Sequence, residues 1–204
     1  DMKTIGSTII MLALASSLFA DNGKELKLAS PDGTHEIVFY QKQVSPAVNE
    51  LCYRVDYKSQ PVVNESRAGL ELDNRIWEMA LGARNLKQPA CWMDNLEVDS
   101  VTYQPETNLT WQPLYGERSS VRDHYRAGTL CLSKKDNSGY RLNIEVRAYN
   151  EGVAFRYFFP EHPKAIFHKV VGDLTEYALP AGTKAWTEPV SYTHLRAHET
   201  DSYL

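Results

Sequence analysis

The sequence predicts an all-β chain folded as a large antiparallel β-sandwich. Short apolar or β-branched runs alternate with polar residues at a period of two, the habit of strands with one buried and one wet face. Turn residues separate these runs at short intervals. There is no longer internal repeat, low-complexity tract or Gly/Ser linker, so the alternating faces belong to one domain and bury against each other. A closed barrel would bury them as well.

The first segment stands outside that fold. Met2-Lys3 gives a short positive start, and Ile5 to Ala20 is almost entirely apolar or small. The run closes with Ala15-Ser16-Ser17-Leu18-Phe19-Ala20 before polar Asp21-Asn22-Gly23. This is the pattern of a secretory signal peptide over residues 1–20, and it implies an exported protein. The run is short and serine-interrupted for a membrane span, and the alternative reading is an N-terminal anchor.

From there the elements follow in order. Ser30-Pro31-Asp32-Gly33 is a turn, because Pro fixes φ and Gly accepts positive φ. His35 to Tyr40 reads as a strand, and Leu51 to Tyr57 as another with Leu51, Tyr53, Val55 and Tyr57 on one face. Lys58-Ser59-Gln60-Pro61 turns the chain into Val62-Val63, and Leu70 and Leu72 flank Glu71 in a short strand. Arg75 to Leu86 carries Ile76, Met79, Ala80 and Ala83 at helical spacing and predicts a short helix, weakened by Gly82. Asp136-Asn137-Ser138-Gly139 is a hairpin turn between Thr129–Ser133 and Tyr140–Tyr149. In the second arm Leu142, Ile144, Val146 and Ala148 face one way, and Arg141, Asn143, Glu145 and Arg147 the other. Asn150-Glu151-Gly152 turns again into a strand over Val153 to Phe159, ended by Pro160.

Composition narrows function without fixing it. The chain has 204 residues, a net charge of −4 and 43% hydrophobic residues, which is ordinary for a globular protein. No cluster of Lys and Arg marks a nucleic-acid or anionic-membrane partner. The 12 tyrosines and 4 tryptophans suit a sandwich core or a sugar-binding surface equally. Cys52, Cys91 and Cys131 are an odd number for an oxidising compartment, show no metal-type spacing, and read as three small buried side chains.

The tail reads differently. His194 and His198 stand four apart with Glu199 adjacent, a tempting zinc pattern, although the Glu follows the second His instead of the first. Val190 to Thr200, however, matches residue for residue the translation of a transposase-type sequencing-library adapter. Residues 190–204 therefore read as adapter-derived and are set apart from the fold. The zinc reading falls with them. The domain left for the fold is a β-sandwich over residues 21–189, which the resemblance described next implies to be a partial N-terminal domain.

A set of motifs now becomes informative through its order. Leu28-Ala29-Ser30-Pro31-Asp32-Gly33, Ala68-Gly69-Leu70-Glu71-Leu72, Trp111-Gln112-Pro113-Leu114-Tyr115-Gly116-Glu117, Val121-Arg122-Asp123-His124-Tyr125 and Arg147 through Tyr157 occur in succession. That series resembles the N-terminal domain of glycoside hydrolase family 97. Tyr115 stands where the family usually has a second Trp, Asp123 where it has Asn, and Asn150-Glu151 where it has an Asn/Asp-Asp pair. The resemblance implies a supersandwich-like domain, incomplete here, followed in the parent enzyme by a (β/α)8 barrel and a small C-terminal β domain. It further implies an exported bacterial α-glycosidase, periplasmic or secreted, that hydrolyses α-glucosides or α-galactosides in oligosaccharides with the help of calcium. The catalytic carboxylates would lie on the missing barrel. The sandwich's own calcium-ligating Glu would come after a segment matching Leu179 to Trp186, beyond the last genuine residue. Glu188 is not assigned that role. The fragment is expected to hold no catalytic residue, to bind no metal, and to meet substrate only through the missing barrel.

Trp111, Tyr115, Glu117, Arg122 and His124 are the candidate site, as substrate-binding or interdomain residues. Arg122-Asp123-His124 suggests acid–base machinery. Yet in a strand Arg122 and His124 share one face and Asp123 takes the other, which fits a polar network or an interdomain contact better. Trp111 and Tyr115 also read as packing residues, with Glu117 paired to Arg118 or Arg122. His162 and His168 read as solvated or packing side chains. The rival function is a stand-alone secreted carbohydrate-binding sandwich, which shares the fold and differs only in having no barrel attached to it.

Overall fold

In the computed structural model, which describes residues 24–73, 92–134, 139–161 and 168–184, the chain builds three antiparallel sheets and no helix among the described residues. The first sheet holds β1 (Glu25–Ala29), β2 (His35–Ser45), β3 (Val48–Tyr57) and β4 (Gln60–Arg67) in sequence order. A small second sheet pairs β5 (Leu70–Leu72) with β10 (Val170–Asp173). The third holds β6 (Leu96–Trp111), β7 (Val121–Lys134), β8 (Arg141–Tyr149) and β9 (Gly152–Phe158), again in sequence order. Among the described residues each four-stranded sheet keeps two open ends in its strand order, so the layers stack as a sandwich and do not close into a barrel. The signal segment, the helix predicted over 75–86, Cys91, most of the 136–139 turn, His162 and the tail from residue 185 lie outside the described residues.

Alternation explains which faces meet. In β8, Leu142, Ile144, Val146 and Ala148 are buried at 0–1% exposure, while Arg147 between them is exposed. The ladder sets Ile144 opposite Leu130 of β7 and Tyr157 of β9, so all three strands present one apolar face. Leu26, Leu28, Ile37, Phe39, Leu51, Tyr53 and Val55 are the matching face of the first sheet. Phe155 crosses between the layers, 5.2 Å from the rings of both Phe39 and Tyr53. Where β1 crosses β7 the fit is close: a Cβ at Gly128 would lie 3.2 Å from Leu26 Cδ1 and 3.3 Å from Tyr103 Cδ1. Glycine is what allows that approach.

Polar ties fix the ends. In the Ser30–Gly33 turn, Gly33 has φ 73°, and Asp32 Oδ1 accepts from Ser30 Oγ at 2.6 Å and from the Thr34 amide and hydroxyl. Those bonds, Ser30's first, draw the Asp32 pKa down to about 2. The Asp32 amide donates to Asn150 Oδ1 at 3.1 Å, linking the β1–β2 turn to the β8–β9 turn of the other layer. Residues 174–178 run along the first sheet, with Asn64 donating to the Ala178 carbonyl and Tyr53 Oη to the Glu176 carbonyl at 2.6 Å. A second aromatic group joins Trp92, Tyr140, Phe159 and His168, with the His168 ring stacked on Phe159 at 4.3 Å. His168 is therefore a packing residue.

Several strands run beyond their expected limits. Val62-Val63 grows into β4, the strand expected over Thr129–Ser133 begins at Val121, and β1, β6 and β10 are additional. Of the cysteines, Cys52 is buried and Cys131 only partly so, and both thiols are free. Burial pushes the Cys52 thiol up to about 11, far from the range of a reactive thiolate.

Candidate functional site

The five candidate residues converge on the β6–β7 hairpin. Trp111 is the last residue of β6, residues 112–120 form the connecting loop, and β7 starts at Val121 opposite Trp111. Arg122 lies across from Thr110 and His124 across from Asn108, so Arg122 and His124 share a face as their spacing predicts. Asp123 sits opposite Leu109 on the other face, together with Trp111. Tyr115 and Glu117 belong to the loop. Tyr115 is 90% exposed, and Trp111 is 53% exposed, so neither packs in the sandwich core. Glu117 makes no ion pair with Arg118 or Arg122 among the described residues, and Arg122 Nε donates to Asn108 Oδ1 at 3.0 Å.

The polar face is organised around Glu106, which sequence reasoning missed. Its Oε1 lies 2.7 Å from His124 Nε2, and its Oε2 accepts from Arg126 Nε at 3.0 Å. Arg126 also donates to the Pro31 carbonyl at 3.5 Å, tying the hairpin to the first sheet's turn. The bonds from His124, and then from Arg126, hold the Glu106 carboxyl below its usual range. Glu106 occupies a bulge, where Gln104 pairs with Ala127 and the next pair is Thr107 with Tyr125. That extra length delivers its carboxylate between His124 and Arg126.

A histidine held by a carboxylate is a familiar acid–base couple, but glycosidic bond cleavage needs two carboxyl groups flanking the bond. Here both Glu106 oxygens are taken up, and Asp123 points away on the opposite face. The arrangement is a brace. On the outer face of β7 and β8, Arg147 lies 4.4 Å over the Tyr125 ring and donates to Tyr149 Oη at 3.4 Å. A shallow cleft of about 270 Å³ adjoins it, lined by Glu145, Arg147, Tyr149 and Arg156, with Arg156 held by Glu145 at 2.6 Å. The outer hollow of the first sheet, about 380 Å³, has its charges satisfied by Lys42–Glu65 and Arg54–Asp56 pairs. Among the described residues no group of three or more His, Cys, Asp or Glu side chains is placed to hold a metal ion.

Comparison with known proteins bears on the same hairpin-bearing sandwich. Residues 28–203 match the family model described as Glycosyl-hydrolase 97 N-terminal. A retaining alpha-galactosidase of Bacteroides thetaiotaomicron is 26% identical over 178 residues, covering 87% of this chain and 22% of the relative. A family 97 glycoside hydrolase from Pseudoalteromonas sp. strain K8, solved with panose and with acarbose, superimposes with a TM-score of 0.61 at 26% identity. That match covers 76% of this chain and 20% of the enzyme. A beta-arabinopyranosidase, at 17% identity and a TM-score of 0.58, shares the fold. The chain spans about a fifth of the length of these relatives.

Proposed function

The chain belongs to glycoside hydrolase family 97 and carries its N-terminal domain, and from this we propose that it is the non-catalytic front part of an exported, calcium-dependent α-glycosidase. The observation that carries the reading is the family match over residues 28–203, on a chain about a fifth as long as its relatives. The hairpin chemistry agrees, since its one organised carboxylate is consumed by a brace. Catalysis then resides in the remainder of the parent protein, which hydrolyses α-glucosides or α-galactosides of oligosaccharides in the periplasm or outside the cell. Calcium belongs to that remainder, where it would act as a Lewis acid held by oxygen ligands. The signal-like segment 1–20 supports export. Residues 190–204 stay apart from the domain in this reading because of their adapter-like sequence, although the family match runs on to residue 203. Trp111, Tyr115, Glu117, Arg122 and His124 serve the parent as contact residues and not in bond cleavage.

A paired assay tests the proposal. The full-length protein should release monosaccharide from an aryl α-glucoside or α-galactoside, lose that activity on exhaustive chelation and regain it with Ca²⁺. The 204-residue chain should release none. Undiminished turnover after chelation would remove calcium from the reading. A folded full-length protein inert toward both substrates would remove the glycosidase.

A further inference from the structure

The outer face of the third sheet carries a small cleft that neither the brace nor the core accounts for. It lies over Ala154 of β9, an exposed alanine set opposite Arg147 of β8. The alanine methyl is too short to level with the long side chains around it, and the hollow left measures about 270 Å³. Glu145, Arg147, Tyr149 and Arg156 form its sides, and Phe155, whose ring turns into the core, completes the lining. Ligand clefts run from about 300 Å³ upward, so this one admits about one six-membered ring with its substituents.

Both walls are held in place by the protein itself. On one side the Tyr149 ring lies 5.1 Å from the Tyr125 ring, and Arg147 stacks 4.4 Å over Tyr125 while donating through Nη1 to Tyr149 Oη. Its Nε and Nη2 keep their donors free among the described residues. On the other side Arg156 Nε and Nη2 both reach Glu145 Oε2 at 2.6 Å, which leaves Oε1 of that carboxylate without a bond among the described residues. A planar fork of donors, a carboxylate acceptor, an aromatic ring and a methyl group therefore border one hollow. Charge narrows the ligand further. Arg147 and Arg156 are balanced by Glu145 and by Asp123, which shares the outer face of β7 with Tyr125 and acts on Arg147 through space. Arg141, the next cation on β8, stands beyond Asn143. Neither an anion nor a cation meets a strong net field here. A neutral ligand rich in hydroxyls fits, because paired donors and acceptors meet adjacent hydroxyls while its C–H face lies on Tyr149 and Ala154.

We propose that this cleft is a saccharide-binding site that takes one pyranose ring of a neutral oligosaccharide and plays no part in bond cleavage. Arg147 and Glu145 hold adjacent hydroxyls, Tyr149 contacts the apolar face of the ring, Ala154 sets the depth, and Arg156 keeps Glu145 in position. The choice of a saccharide among neutral polyhydroxylated ligands rests on the family reading, whereas the geometry of the site does not. Its lining comes from β8 and β9, apart from the β6–β7 hairpin that holds the other candidate residues. A weak contact of this kind holds a longer chain beside the protein, so that a second encounter with the same chain becomes intramolecular.

Nuclear magnetic resonance of the 204-residue chain, titrated with maltotriose and separately with melibiose, tests the proposal. At least one sugar should shift the Arg147 Nε–H and the Tyr149 and Ala154 amides along a saturable curve, leaving the core amides of Leu28 and Phe39 in place. Ala154→Trp fills the cleft from an exposed edge position and should abolish those shifts. Arg147→Lys keeps the charge, loses the fork, and should weaken binding at least about tenfold. Shifts that survive both variants would overturn the site, as would the absence of a saturable shift with either sugar. Sugar-induced shifts confined to residues 111–117 would overturn it too, by placing binding on the hairpin. Stronger saturation of the same residues by sulfate would mean an anion site and overturn the saccharide. Cleft binding alongside a full-length protein without α-glycosidase activity would leave the site standing and remove the functional reading, and activity without cleft binding would do the reverse.

Discussion

Lys58 and Ser59 show how a single residue type can work against the fold. They are the two central residues of the β3–β4 turn, between the paired Tyr57 and Gln60, and have φ of 49° and 62°. Both positive values mark a type I′ turn, which favours Asn-Gly because its twist matches that of the strands. L-residues pay about 1–2 kcal/mol for the left-handed region. Ser59→Gly relieves this at one position, offset by glycine's entropic cost of about 0.5–1 kcal/mol. The expected net gain is about 0.5 kcal/mol, seen as a higher urea midpoint with an unchanged slope. A lower midpoint would mean that the Ser59 side chain holds the turn. The sequence announced this turn through Pro61 and its polar neighbours, but not its type, since Lys and Ser carry no preference for positive φ. At the same scale, the shared face of Arg122 and His124 was legible from alternation alone. Their partner Glu106 was not, because a bulge places it, and bulges leave no period to read.

Elements show the same division. β8 was legible because Leu142, Ile144, Val146 and Ala148 alternate without interruption and are all buried. β6 was not, because irregularities between Val98 and Ser100 and between Gln104 and Thr107 break the period twice, and its outer half is exposed on both faces. The outer end of the β6–β7 hairpin carries the Glu106 pairing with His124 and Arg126, which gives it a pH dependence. Glu106 has a folded pKa below its ordinary value of 4.5, so its pairing stabilises the hairpin above that value and is lost as pH falls through the lower, folded one. A carbon-detected titration of Glu106 should give a midpoint below 4.5 that moves back toward it in His124→Ala, the larger effect, and in Arg126→Gln. A midpoint at or above 4.5 in the unaltered chain would contradict the brace.

At the scale of the whole molecule, fold class and family were legible, and assembly was not. Alternating faces require two layers, but nothing in them says that Phe155 meets Phe39 and Tyr53, or that Asp32 reaches Asn150. Such contacts join residues more than a hundred positions apart and emerge only when the sheets stack. Parts of the motifs that carry the family resemblance gather at one end: the Ser30–Gly33 turn, Arg126 beside the Val121–Tyr125 motif, and Asn150 are tied to one another, whereas Leu70–Leu72 pairs with β10 in the small second sheet. From that end the β6–β7 ladder runs on past the β7–β8 ladder, which stops at Tyr125. The most direct test of a sandwich cut from a larger glycosidase is to sequence the source DNA across codons 180–200 without a transposase adapter. The account predicts a reading frame that leaves residues 190–204 behind and continues past Glu188 into a barrel domain. If Val190 to Leu204 are genomic and followed by a stop codon, the chain is a short exported protein and the account is wrong.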